Sequence, residues 1–199
     1  MARAACNTFS LLFRASVVVA FAFCCFCGAG VEGGRRKMRV ERMTFYIHDI
    51  ITPTNFSKPS AKAVAGPAGG HEGNRFFGSV VVIDDKVTRG QDYQSEEIGR
   101  ARGFFVEDAR DGQLISVLMA FTVRFTKGSV NGSTLAFFGQ DAIAEPRRFL
   151  PLVSGTSRFF LCRGAARVKT CQLAGALNSV VRFSLHLLCP YREPSFPKW

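Results

Sequence analysis

Phe45-Tyr46-Ile47-His48-Asp49-Ile50 alternates in the period-two pattern of a half-buried strand, with Asp49 on the same face as Phe45, Ile47 and Ile51. Leu135-Ala136-Phe137-Phe138-Gly139-Gln140-Asp141-Ala142-Ile143 repeats the pattern and puts Asp141 with Leu135 and Phe137. Both acids therefore face an apolar interior. A carboxyl group in such a place is paired, hydrogen-bonded or protonated, because burying the bare charge is costly. A pKa raised by burial would suit it to proton transfer. Asp49 and Asp141 are the candidate catalytic residues.

Working outward, strand-like runs follow one another at Met43–Ile51, Ala61–Ala65, Phe76–Asp84, Ile98–Asp108, Leu114–Thr126, Ser133–Ala142, Arg158–Thr170 and Leu177–Leu188. Phe and Val are abundant, amphipathic helical runs are scarce, and Gly or Pro marks the joints. Asn131-Gly132 between two runs is a hairpin signal. The chain is expected to be all-β, a closed barrel or a sandwich of about eight strands. A barrel of that size removes exposed edges and can hold a small ligand. The longer connections, Thr52–Lys58, Gly66–Arg75 and Asp85–Glu97, belong at its mouths, where binding residues collect.

The N-terminus reads as a secretory leader, with Arg3 and Arg14 ahead of an apolar run from Ala15 to Cys27 and small residues to Gly30. The run is short for a membrane span, so residues 1–30 are expected to be cleaved, leaving an exported chain with no membrane segment; a signal anchor is the alternative. Residues 31–42 form a basic arm, 43–190 the barrel domain and 191–199 a tail. Of seven cysteines, only Cys162, Cys171 and Cys189 lie beyond the leader. Three cysteines allow one bridge and one free thiol, and sequence does not choose the pair. Their spacing fits no zinc motif, so no metal is assigned.

The net charge is +11. The aromatics lie in strand-like runs and are not interleaved with exposed basic residues, which argues against nucleic acid; an acidic extracellular matrix, or solubility alone, uses the charge better. Sequons at Asn55-Phe56-Ser57 and Asn131-Gly132-Ser133 fall in expected loops and are candidate glycosylation sites. The Gly-rich segments lack a strand-to-helix phosphate loop, and no Ser/His/Asp order points to a hydrolase. His48 should point away from Asp49, at a surface or interface.

The order Phe45-Tyr46-Ile47-His48-Asp49-Ile50, Phe77-Gly78, Val82-Ile83-Asp84-Asp85 with Thr88 and Gly90, Ile98-Gly99-Arg100-Ala101-Arg102-Gly103-Phe104 and Phe138-Gly139-Gln140-Asp141 resembles the successive motifs of the plant dirigent proteins. Glu145-Pro146-Arg147-Arg148, Ser154-Gly155-Thr156, Phe159-Phe160 with Arg163-Gly164, and Cys189 continue the match, which spans roughly Met43 to Cys189. The resemblance implies an eight-stranded antiparallel barrel, secretion to the apoplast and a homo-oligomer, dimer or trimer. It implies no cofactor. A separate oxidase, a laccase or peroxidase, makes phenoxy radicals from a monolignol such as coniferyl alcohol, and the barrel directs their coupling towards a lignan. Relatives include a pterocarpan-forming dehydratase, and a cell-wall binding or defence protein is a third reading.

By the same resemblance Asp49 and Asp141 match the family's two pocket aspartates and Arg148 a pocket-lining arginine; Arg100, Phe104 and Phe105 are further substrate-binding candidates. Departures are visible too. Phe105 stands where the family commonly has Tyr, Ser157-Arg158 where it often has Gly-Asp, and Phe149 where it has Asp. Many members pair a cysteine shortly before the first strand with the C-terminal one. That partner is missing here, so Cys189 is free or bridged to Cys162 or Cys171, and the divergent stretch Cys171–Asn178 leaves closure of the barrel to be seen.

Overall fold

The computed structural model describes residues 37–66, 77–109, 116–174 and 178–191. The leader at 1–30, the first half of the basic arm and most of the tail lie outside the described residues. Nine strands are present: β1 (Met38–Asp49), β2 (Ala61–Ala65), β3 (Val80–Thr88), β4 (Glu97–Glu107), β5 (Ser116–Phe125), β6 (Thr134–Ala142), β7 (Arg148–Gly155), β8 (Arg163–Ala174) and β9 (Asn178–Pro190). They run antiparallel in the order β1-β9-β8-β7-β6-β5-β4-β3, and pairing of β1 with β3 closes the cylinder. The fold is an eight-stranded antiparallel barrel. β2 is extra, occupying the stretch of the β3 edge beyond the reach of β1.

Two differences from the sequence expectation have physical causes. Arg148–Gly155, outside the strands expected from sequence, forms β7. The β6–β7 ladder shifts register at Val153 and ends with Phe137 opposite Leu152, so Pro151 lies beyond it, and its ring lies over Gly139, which has no side chain to meet it. β1 also begins inside the basic arm: Met38 to Arg42 pair with Pro190 to His186. The divergent C-terminal segment does close the barrel, since β9 pairs with β1 from Asn178's neighbour Ser179 to Pro190.

Alternation sets the interior. Phe45, Phe121, Phe125, Phe137 and Phe183 are buried and pack ring against ring: Phe45 stacks on Phe183 at 5.5 Å and Phe121 on Phe137 at 5.4 Å. Each ring is worth about 3–5 kcal/mol if truncated to Ala. Phe159, from a short 3-10 turn after β7, joins Phe125 at one end of the bore. The Cys162–Cys189 disulfide seals the same end, which settles the pairing and leaves Cys171 as the free thiol. Ser157 has φ of 50°, a left-handed conformation in which glycine is at ease. That explains a glycine at this place in relatives, while Arg158 ties the turn back to β1 through Glu41 at 2.9 Å.

Candidate functional site

Ionisable side chains enter the bore from the opposite end. The strands alternate in direction, so the C-terminal ends of β1, β4, β6 and β8 and the N-terminal end of β7 share one rim. Around it the inward positions are Asp49, Glu107, Asp141, Arg148 and Thr170, with Asp85 deeper on β3. Between them the lining is apolar: Ile47, Ile83, Phe105, Val117 and Phe183 are buried. The acids form two groups.

Asp141 and Arg148 make the first group. Arg148, 6 % exposed, directs one guanidinium nitrogen to the Asp141 carboxylate at 3.4 Å and to the Ile143 carbonyl at 3.3 Å. Its other terminal nitrogen donates to Thr170 Oγ1 at 2.8 Å. The second oxygen of Asp141, Oδ1, is buried and has no hydrogen-bond partner among the described residues. Burial raises the Asp141 pKa and Arg148 opposes this only in part, so the carboxyl group holds a proton into less acidic solution than an ordinary aspartate does.

The second group sits where β1 meets β3. The ladder aligns His48 with Lys86, so one step on Asp49 stands beside Asp85. Asp85 is 1 % exposed and accepts a hydrogen bond from Ser60 Oγ at 2.6 Å. Burial, then the charge of Asp49, pushes its pKa well above the ordinary carboxylate range. Two carboxyl groups at such proximity do not both ionise readily, so this pair keeps a proton. Ser60 is positioned by the β1–β2 loop, whose start is fixed by Asn178: its Oδ1 accepts from the backbone N–H groups of Ile51 and Thr52, each at 2.9 Å.

Going around the barrel, the β1/β3 junction lies half a turn from β6 and β7. The two acid groups therefore face each other across an apolar bore. Asp49, Asp141, Arg148 and Phe105 are all brought to this interior, as expected from sequence. Arg100 and Phe104 are not: both fall on outward positions of β4. Arg100 donates to Asp84 Oδ1 at 2.8 Å and to the Asp84 carbonyl, and Phe104 is 42 % exposed. Inward β4 positions belong to Ala101, Gly103, Phe105 and Glu107, and parity puts Arg100 and Phe104 outside. Asp85, Glu107 and Thr170 were missed. Asp85 shares parity with Val81 and Ile83, and Glu107 with Phe105, so alternation carried the signal; the expected third strand stopped at Asp84, four residues short of the end of β3 at Thr88, and left Asp85 in an expected connection.

His48 is outward-facing but buried, not at a surface, 1 % exposed beneath Tyr93, whose ring meets it edge-on at 5.3 Å. Thr88 Oγ1 donates to the Gly90 carbonyl at 2.6 Å, so it accepts from His48 Nε2, 2.7 Å away. Burial, then the charge of Lys86, lowers the His48 pKa to about 4. It is a neutral structural imidazole on the far side of the wall from Asp49. Asn55 and Asn131, the sequon residues, are both exposed. Asn131 occupies a tight turn closed by the Ser133 N–H to Val130 carbonyl bond at 3.0 Å. No three potential metal ligands cluster among the described residues.

Comparison with known proteins agrees with this architecture. The dirigent-like protein family model matches residues 40–188. Dirigent protein 21 of Arabidopsis thaliana is 36% identical over 137 residues, 69% of this chain and 70% of the relative. Pterocarpan synthase 1 of Glycyrrhiza echinata is 34% identical over 137 residues, 68% of this chain and 70% of the relative. A solved structure of a pterocarpan synthase dirigent protein superposes with a TM-score of 0.72 at 29% identity, covering 81% of this chain and 91% of that one. The chain therefore belongs to the dirigent-like protein family, and its role is of the dirigent type.

Proposed function

We propose that the barrel binds two phenoxy radicals derived from a monolignol such as coniferyl alcohol, supplied by a separate laccase or peroxidase, and directs their coupling in phenylpropanoid biosynthesis. The observation that carries this reading is the placement of two acid groups, each with a buried aspartate, on opposite arcs of one apolar bore. Coupling two radicals forms a carbon–carbon bond with no net oxidation, so orientation is the main service required. The apolar lining and Phe105 hold the rings. In each coupled quinone methide a side-chain hydroxyl then adds to the methide carbon while the carbonyl oxygen takes a proton. Asp141 on one side and the Asp49/Asp85 pair on the other would donate those protons and recover them from the attacking hydroxyls.

The test is coupling of coniferyl alcohol with a laccase, products resolved by chiral chromatography. Enantiomeric excess is expected with the native chain and is expected to be lost in Asp141→Asn and in Asp49→Asn, and to fall in Asp85→Asn. A racemic product from the native chain would reject this reaction. Because the acids must be protonated to donate, selective ring closure should decline as pH rises through the raised pKa of Asp141. A second reading is favoured by the likeness to proteins named pterocarpan synthases: the same acids would protonate a hydroxyl of a closed-shell phenolic so that it leaves as water. Another hydroxyl oxygen of the same molecule would bond to the vacated carbon and give up its proton, a cyclisation that proceeds without any oxidant.

Export to the apoplast, glycosylation at Asn55 and Asn131, and a dimer or trimer belong to the same proposal. Self-association is supported by an outward row across β3 to β6, Val82–Phe104–Ala120–Phe138, in which Val82, Phe104 and Phe138 are 45 %, 42 % and 53 % exposed. Sedimentation of the mature chain reads the oligomer.

A further inference from the structure

We propose that the outer wall formed by β8, β9 and β1 is a docking surface for a linear carboxylated polysaccharide, a polyuronate. The inference rests on charge placement and on nothing in the reaction above. Between Glu145 and Glu193 the chain contains no Asp or Glu, and β8 and β9 both lie in that interval. The ladders set their outward residues in rows with those of β1: Tyr46 beside Arg182 beside Lys169; Thr44 beside Ser184 beside Arg167; Arg42 beside His186 beside Ala165; Val40 beside Leu188 beside Arg163. Arg42, Arg163, Arg167, Lys169 and His186 are exposed. Arg182 is half-buried, and its Nε has no hydrogen-bond partner among the described residues.

Several of the protein's other outward cations are neutralised. Arg100 and Arg102 on β4 both pair with Asp84, and Arg89 pairs with Glu96. Among the described residues none of Arg42, Arg163, Arg167, Lys169 and Arg182 has an ion-pair partner. Neighbouring strands are about 5 Å apart and alternate residues on one strand about 7 Å apart, so the wall is a lattice of unneutralised donors at spacings that suit a chain of repeated carboxylates. Guanidinium groups dominate it, and their planar fork takes a carboxylate with two parallel hydrogen bonds.

The shape of the wall selects among polyanions. The outside of a barrel is convex, so a stiff nucleic-acid duplex would touch it along a line and engage few phosphates. A single-stranded nucleic acid gains affinity by stacking bases on exposed aromatics, and the rows above offer only the half-buried Tyr46. A flexible single polyuronate chain needs neither concavity nor stacking and can drape over the three strands.

Binding of the mature chain to fully de-esterified polygalacturonate, measured by co-sedimentation and by titration at several salt concentrations, tests this. The triple variant Arg42→Gln, Arg167→Gln, Lys169→Gln should bind about tenfold or more weakly, with a shallower salt dependence. The triple variant Lys62→Gln, Arg102→Gln, Arg124→Gln removes the same charge elsewhere and should bind within about twofold of the native chain. Thermal melts of both confirm that they fold. Equal losses in the two triples would mean that net charge alone attracts the polymer and would overturn the assignment. So would undiminished binding to the fully methyl-esterified polymer, absence of binding to the acidic one, or tighter binding to a single- or double-stranded oligonucleotide at the same salt.

Discussion

Replacing Cys162 and Cys189 together by Ala is expected to lower the unfolding free energy by about 3–4 kcal/mol, the chain-entropy value for a loop of this size. The cysteines are 27 residues apart in sequence and enclose the β8–β9 hairpin one step beyond its terminal pair, Arg163 with Leu188. Without the bridge the unfolded chain regains the freedom of that loop. Cys162 is 4 % and Cys189 0 % exposed, so the folded state also loses packing. A urea titration of the oxidised native chain against the double variant reads the difference, and reductant should move the native chain towards the variant's curve, stopping short of it by the packing that the two thiols retain. Coincident curves before reduction would show that the bridge contributes nothing.

The second large effect is on pH dependence. Folded His48 titrates at about 4, whereas an unfolded histidine titrates near 6.5. Between those values the unfolded chain binds a proton that the folded chain refuses, so the unfolding free energy falls as the solution is acidified through this window. The loss from this residue is complete near pH 4 and amounts to about 3 kcal/mol. Asp85 and Asp141 act with the opposite sign: their raised folded pKa values mean that acidification adds stability as they gain protons before the unfolded chain does. His48→Gln keeps a donor towards Thr88 and removes the titration while leaving both acids in place. Denaturant midpoints of native and variant should therefore diverge from pH 7 down to pH 4, the variant falling less. Parallel profiles would show that His48 is not buried as described.

What the sequence disclosed follows from what alternation reports. Period two assigns a residue to a face, and that sufficed to set Asp49 and Asp141 inside and His48 outside, and to expect an all-β barrel or sandwich; the choice of the barrel came from the family resemblance. Alternation also contained the correct side for Arg100 and Phe104, since Ala101 and Phe105 are their apolar neighbours of opposite parity; resemblance alone had placed them in the pocket. Register between strands is another matter. That Asp49 stands beside Asp85, that Arg148 reaches Asp141 and Thr170, and that cations of β8, β9 and β1 fall into rows all depend on long-range pairing, which no local pattern encodes. β7 escaped notice because Pro151 interrupts the local strand pattern. The Cys162–Cys189 pairing needed coordinates, because spacing permits any pair of the three.

The junction of β1 with β3 is short. Only Tyr46, Ile47 and His48 pair there, with Thr88, Val87 and Lys86, whereas β1 is laddered to β9 along its whole length. Beyond His48 the β3 edge passes to β2, a separate five-residue strand. The ladder of β6 with β7 is as short, three pairs from Leu135 to Phe137. At the β1/β3 junction, however, the edge also passes to a separate strand, so the cylinder has a seam there, and a sheet parts first where few hydrogen bonds must break together. Opening it would swing β2 and its loop outward and bring water to Asp49 and Asp85 without disturbing the aromatic plug or the disulfide at the far end. Amide exchange at Val87 ahead of the other ladders would be its signature.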